Sequence, residues 1–141
     1  MSYTINKVDV WATDIPNRAG TLSHILEGVS NAGAQLEFLI ARKVDDSTSR
    51  VFAAPIKGPK QQRAASAIGL ARVTGMHSLR IEGPDRAGLG AQITNAVAEK
   101  GINLRGASAA AIGKKAVFYL AVESEQDLKS ATQAVRKLLG K

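Results

Sequence analysis

Two short stretches of this chain carry residues whose types and spacing could do chemistry. Ile15-Pro16-Asn17-Arg18-Ala19-Gly20, preceded by Asp14, recurs sixty-eight residues later as Gly83-Pro84-Asp85-Arg86-Ala87-Gly88. A strand that runs through Pro-x-Arg-Ala-Gly into a helix leaves the first N–H groups of that helix without intrahelical partners. The helix dipole adds partial positive charge at the same place. Such a turn favours an anion, and a free carboxylate is the obvious small candidate, because Gly20 and Gly88 permit close backbone approach. Asp14, Asn17 or Asp85 offer oxygen acceptors to an ammonium group. The same residues also suit a purely connecting turn in which Asn17 or Asp85 caps the helix. Occurrence in two copies favours binding modestly, since duplication copies structural turns too.

Other candidate groups point nowhere. His24 and His77 are the only histidines and have no acidic or cysteine partners at metal-ligand spacing, so no metal site and no general base follow. Ser23 and Ser108 lack a nucleophile-elbow context, and Gly88-Leu89-Gly90 is too short for a phosphate or dinucleotide loop. The expectation is a protein that is not an enzyme and uses no cofactor.

A repeated unit must position the two turns. Pro16–Leu36 and Pro84–Leu104 share eight of twenty-one residues without a gap, and the identities fall on the turn and on one helix face, so the chain is a duplicated module. Val8, Val10 and Ala12 alternate with Asp9, Trp11 and Thr13, which predicts a half-buried strand ending near Thr13, with Trp11 on its minority face as a packing or interface residue. Leu22, Ile25, Leu26 and Val29 predict a helix closed by Gly33. Leu36–Val44 and Arg50–Ile56 form a hairpin about Asp45–Ser49, and Gly58-Pro59 opens a helix to about Leu70. The second copy repeats the order. A strand at Leu79–Glu82 leads to a helix at Leu89–Lys100 capped by Gly101, then hairpin strands at Ile102–Ile112 and Ala116–Val122. Ser124 caps a last helix whose buried stripe is Leu128, Ala131, Val135 and Leu138.

Strand, helix, strand, strand, helix, twice, is an α+β pattern: two ferredoxin-like modules, at residues 1–75 and 76–141, each an antiparallel sheet with its helices on one face. The fourth strand that normally closes this motif is short of residues. Only Arg72–Met76 is available in the first copy, and nothing follows the last helix of the second. Either Tyr3–Asn6 serves the other module or Val73–Glu82 is shared, and both devices cover a sheet edge. Each half is near the lower size limit for independent stability, so the halves are expected not to fold alone.

Composition narrows the function classes. The formal charge of +7 divides into +3 for residues 1–75 and +4 for residues 76–141, an even spread that reads as a solvated basic surface. Phe118 and Tyr119 are adjacent and therefore face opposite ways, and Phe52 stands alone in the equivalent strand, so the sequence does not support base stacking and no nucleic-acid partner is expected. There is no cysteine, no secretory leader pattern and no apolar run long enough to span a bilayer, which leads us to expect a cytoplasmic protein without membrane partners.

On Asp14–Gly20 through Gly33-Ala34-Gln35-Leu36, and on Pro84–Gly88 through Gly101-Ile102-Asn103-Leu104, both copies resemble the ACT domain, a regulatory module. The resemblance covers nearly the whole chain. It implies β-α-β-β-α-β modules paired side by side into a larger sheet, with an amino acid or related small molecule bound at the module interface. The first pocket would then comprise Asp14, Asn17, Arg18, Ala19, Gly20, Thr21 and Leu22 with Ala34, Gln35 and Leu36. The second would comprise Asp85, Arg86, Ala87, Gly88, Leu89 and Gly90 with Ile102, Asn103 and Leu104. Asp85 in place of Asn17 opposes a carboxylate, and Gly90 in place of Leu22 weakens the apolar side, so the first copy is the expected binder. A homodimer is expected as well. The competing reading is a structural module whose sheets pair with an enzyme or a transcription regulator.

Overall fold

The structure, a computed structural model, describes residues 2–140. In chain order the elements are β1 (Thr4–Val8), β2 (Trp11–Pro16), α1 (Thr21–Ser30), β3 (Phe38–Lys43), β4 (Thr48–Ala54), α2 (Gly58–Ala67) and β5 (Ala71–Arg72), then β6 (His77–Pro84), α3 (Leu89–Ala98), β7 (Gly106–Ile112), β8 (Lys115–Val122) and α4 (Glu125–Leu139). They form two antiparallel four-stranded sheets, of order β3-β4-β2-β5 and β1-β6-β8-β7. Both are ferredoxin-like orders, so the α+β reading holds.

One compact unit is Asp9–Val73. Trp11 and Ile15 of β2 and Val51 of β4 face Ile25 and Val29 of α1 and Ala65 of α2 in its core. The expected faces of the first strand are therefore reversed at Trp11, which is only 5% exposed and lies inward. The run read as one strand is in fact two, broken at Asp9-Val10, and the indole buries far more apolar area than Ala12 could. Arg72 lies over the indole ring, 5.7 Å from its centroid. The two helices approach closely because Gly28 has no side chain: a Cβ there would lie 2.8 Å from Ile68 Cδ1. The fourth strand is the two-residue β5, paired with Trp11 and Ala12.

The other unit joins the chain up to Val8 with the chain from Thr74 on. The expected single division after residue 75 is thus replaced by an exchange in which the N-terminal strand completes the second copy. β1 runs antiparallel to β6 from Thr4↔Glu82 to Val8↔Ser78. Tyr3 and Ile5 enter a core with Leu79, Ile81, Ile93, Val97, Leu120 and Val135. Each such side chain contributes about 1.5–3 kcal/mol on burial. The Ser124 hydroxyl accepts from Asp127 N–H at 3.0 Å to cap α4, whose first turn holds Glu125 and Asp127 and whose last holds Arg136 and Lys137. Leu138, placed on the buried stripe by spacing, is 39% exposed, and its neighbour Leu139, four residues on from Val135, packs against the core instead. The second hairpin begins at Gly106 rather than Ile102, and the first at Phe38 rather than Leu36.

Candidate functional site

In the first turn β2 ends at Pro16 and α1 starts at Thr21. Gly20 is the N-cap at φ 92°, a left-handed conformation that side chains disfavour, and no side chain caps the helix. The Thr21 hydroxyl folds the turn back on the strand end, donating to Pro16 O at 2.7 Å and to Arg18 O at 3.0 Å. The Thr21 N–H turns back to Arg18 O at 3.4 Å and the His24 N–H makes the first helical bond, to Gly20 O at 3.1 Å, which leaves the Leu22 and Ser23 N–H groups uncapped among the described residues.

Asn17 is not the cap. Its N–H donates to Ser47 O at 2.9 Å, its side-chain amide donates to Asp46 O at 3.3 Å, and its Oδ1 accepts from Ser49 Oγ at 3.1 Å. It docks the β3–β4 turn against the β2–α1 turn. That hairpin turn is itself tied by Asp45 Oδ1, which accepts from the Ser47 N–H and hydroxyl, both at 2.9 Å. These bonds, the backbone one first, hold the Asp45 carboxyl below its ordinary range. Asp14 of β2 faces Arg50 of the neighbouring β4 in a bidentate pair, Nε to Oδ1 at 2.7 Å and Nη2 to Oδ2 at 3.1 Å. The Arg50 hydrogen bond holds the Asp14 carboxyl below its usual value. Both acceptors assigned to an ammonium group thus already have partners. Arg18 differs: it is exposed, and among the described residues its guanidinium has no ion pair or side-chain hydrogen bond.

The apolar side of this turn is a concave strip. A hollow of about 470 Å³ runs along Leu22, Ser23, Leu26, Glu27, Ser30 and Asn31 on α1. At Leu26 and Ser30 it meets a cleft of about 360 Å³ lined also by Val29, Ala34, Leu36, Glu37, Phe38 and Leu39. Leu22, Ala34 and Leu36 are therefore brought along one strip, while Gln35 is exposed.

The second turn has the same backbone and different side-chain chemistry. Gly88 is the N-cap at φ 82°, again without a side-chain cap, and Asp85 N–H donates to Lys114 O at 2.9 Å as Asn17 does to Ser47. A carboxylate cannot repeat the amide's donation to the hairpin. Arg86 donates to Gln92 Oε1 and, at 3.4 Å, to the Tyr3 hydroxyl, which itself donates to Pro84 O at 2.8 Å. Leu89 and Ile102 are core residues, Leu104 packs against that core, and Ala87 and Asn103 are exposed. Gly90 does not leave a bare surface: a Cβ there would lie 3.4 Å from the Phe118 ring. Phe118 occupies the register position that Val51 holds in the first sheet, so bulk has moved from helix to strand.

Three residues of these turns were invisible from spacing around the turn alone. Glu82 stands sixty-eight residues after Asp14 and is likewise paired, with Arg80 Nη2 at 2.7 Å and Lys115 Nζ at 3.6 Å; extending the repeat two residues upstream would have found it. Arg50 and Tyr3 have no local sequence signal. Among the described residues no group of three or more His, Cys, Asp or Glu is placed to hold a metal ion, and no helix is long and apolar enough to cross a membrane.

Comparison with known proteins fits this geometry. Residues 77–140 match the ACT domain family. No curated protein matches the chain in sequence. In fold the chain is similar to a protein from Bacteroides thetaiotaomicron (12% identity, TM-score 0.76, 97% of this chain and 99% of that one). It is also similar to the regulatory subunit of aspartate kinase from Thermus thermophilus in its ligand-free form (16% identity, TM-score 0.71, 98% and 97%). Aspartokinase III of E. coli, in complex with aspartate and ADP, is matched over 99% of this chain and 33% of that one, at 12% identity and a TM-score of 0.60.

Proposed function

We propose that the chain is a regulatory unit of two ACT modules that binds an amino acid, and that Asp9–Val73 is the second such module. The carrying observation is the first turn: an uncapped helix N-terminus and the exposed Arg18 beside an apolar strip running from Leu22 to Leu36. The ligand's carboxylate lies against the amides after Gly20, its side chain along the strip, and its ammonium group shares oxygens of the Asp14–Asn17 segment. Binding rather than catalysis suits a site that lacks an activated nucleophile or base. The match of residues 77–140 to the ACT domain supports a regulatory role. Aspartate, present in the E. coli structure, is the first ligand to try. A thermal-shift screen of the amino acids tests the reading. A ligand at a hundred times its Kd stabilises the folded state by about 2.7 kcal/mol, so one amino acid raises the melting midpoint; a flat screen counts against it.

The partner we propose is a second copy of the chain, meeting it along β7. This edge strand, Gly106–Ile112, carries no charged side chain, and Ile112 is 83% exposed. The opposite choice, β3, ends in Arg42-Lys43, the kind of charge that keeps edges apart. The same bare edge is what a different protein partner would use.

A further inference from the structure

In the first module Ile15 fills the core directly before Pro16; in the second, Gly83 stands at that place and contributes nothing. The space is taken by the ring of Tyr3, from the other end of the sequence. A Cβ on Gly83 would lie 2.3 Å from Tyr3 Cδ1, so ring and glycine fit only each other. Tyr3 is 7% exposed, and its hydroxyl continues upward, donating to Pro84 O and accepting from Arg86. The strand that carries it is tied to α4 at both ends: Arg136 donates to Ile5 O at 3.1 Å, and Lys7 pairs with Glu125 at 3.3 Å. Arg86, the counterpart of Arg18, is exposed like it but is hydrogen-bonded to Tyr3 and Gln92.

We propose that the N-terminal strand is a strap that closes the second turn, with Tyr3 acting both as the missing core side chain and as a clasp on Arg86. While the strap is docked the second arginine is occupied and only the first turn is open; this last consequence rests on the ligand reading above, whereas the strap itself does not. Undocking β1 would expose the β6 edge and at the same time release Arg86 from Tyr3, leaving it to Gln92 alone, which makes the second turn conditional on the N-terminal strand.

The test uses the full chain and needs no ligand. Phenylglyoxal labelling, read by peptide mass spectrometry, should modify Arg18 several-fold faster than Arg86 in the unaltered protein. Tyr3→Phe keeps the ring and the fold but removes one of the two hydrogen bonds on the Arg86 guanidinium, so the Arg86 rate should rise, and Tyr3→Phe with Gln92→Ala should bring it up to that of Arg18. Tyr3→Ala should lower the melting midpoint by roughly 10 °C or more. Gly83→Ile alone should also destabilise, because it meets the ring. The double variant Tyr3→Ala with Gly83→Ile should melt above either single one, since it rebuilds the arrangement of Ile15, while Arg86 stays fast. Equal labelling of the two arginines in the unaltered protein overturns the clasp. A double variant no more stable than Tyr3→Ala overturns the core exchange. Either result stands apart from whether an amino acid binds.

Discussion

At the scale of residues, the two turns show how the same backbone is kept while its side chains change employment. Gly20 and Gly88 have positive φ and nothing within 4 Å of where a Cβ would stand, so what disfavours a side chain there is dihedral strain, not the protein's own packing. Gly20→Val is expected to cost about 1–3 kcal/mol of stability and to abolish amino-acid binding in the fraction that remains folded. Gly88→Val should cost similar stability with a smaller loss of binding. Calorimetric titration alongside melting curves separates the two effects, and a folded Gly20→Val protein with unchanged affinity would move the site elsewhere. Asp14 supplies a second check. Its folded-state carboxyl is held below the ordinary value of 3.8 by the Arg50 hydrogen bond, so the pair's contribution is present above that value and is lost as pH falls through the depressed one. An NMR titration of Asp14 should show the low midpoint, and Arg50→Met should return it to the ordinary range; no change would mean that the pair does not persist in solution. The glycines, the arginines and the unequal Asn17 and Asp85 were legible in the sequence because turns announce themselves locally. Arg50 was not, since strand register brings it opposite Asp14 from thirty-six positions away.

At the scale of elements, the helices and hairpins were legible from periodicity and from Gly33, Gly101 and Ser124; the exchange of Tyr3–Asn6 into the other module was one of two closures the sequence left open, and no local pattern chose between them. β5 is two residues long and β1 lies at the opposite end of the sequence from the module it completes, so neither leaves a pattern next to its partners. Alternation misled at Trp11 for the same reason: a run that crosses from one unit to the other has no single inward face. The expectation that neither half folds alone is changed on one side by this finding. All four strands of the first sheet lie within Asp9–Val73, whereas residues 76–141 lack β1 and leave the edge of β6 open. Circular dichroism of a 76–141 fragment should show poor order that a peptide spanning Ser2–Val8 restores. A cooperative melt of that fragment without the peptide would show that β1 is dispensable. Within this unit Ile81→Ala, at a fully buried position between β1 and β8, should cost about 2–5 kcal/mol in denaturant unfolding of the whole chain.

At the scale of the whole molecule, the duplication supplies two sheets, one with β3 and β5 as its edge strands and the other with β1 and β7. The uncharged β7 edge makes a two-fold antiparallel pairing of β7 strands the expected dimer, and Ala109→Lys at its centre should shift sedimentation equilibrium towards the monomer while leaving the fold intact. A monomer at micromolar concentration before any substitution would count against that surface. The central claim is that the first turn binds an amino acid. Isothermal titration of the full chain against each of the common amino acids, with aspartate first, tests it most directly: the account predicts a saturable heat for at least one of them that disappears in folded Gly20→Val, and the absence of heat from every amino acid with the unaltered, folded protein would contradict it.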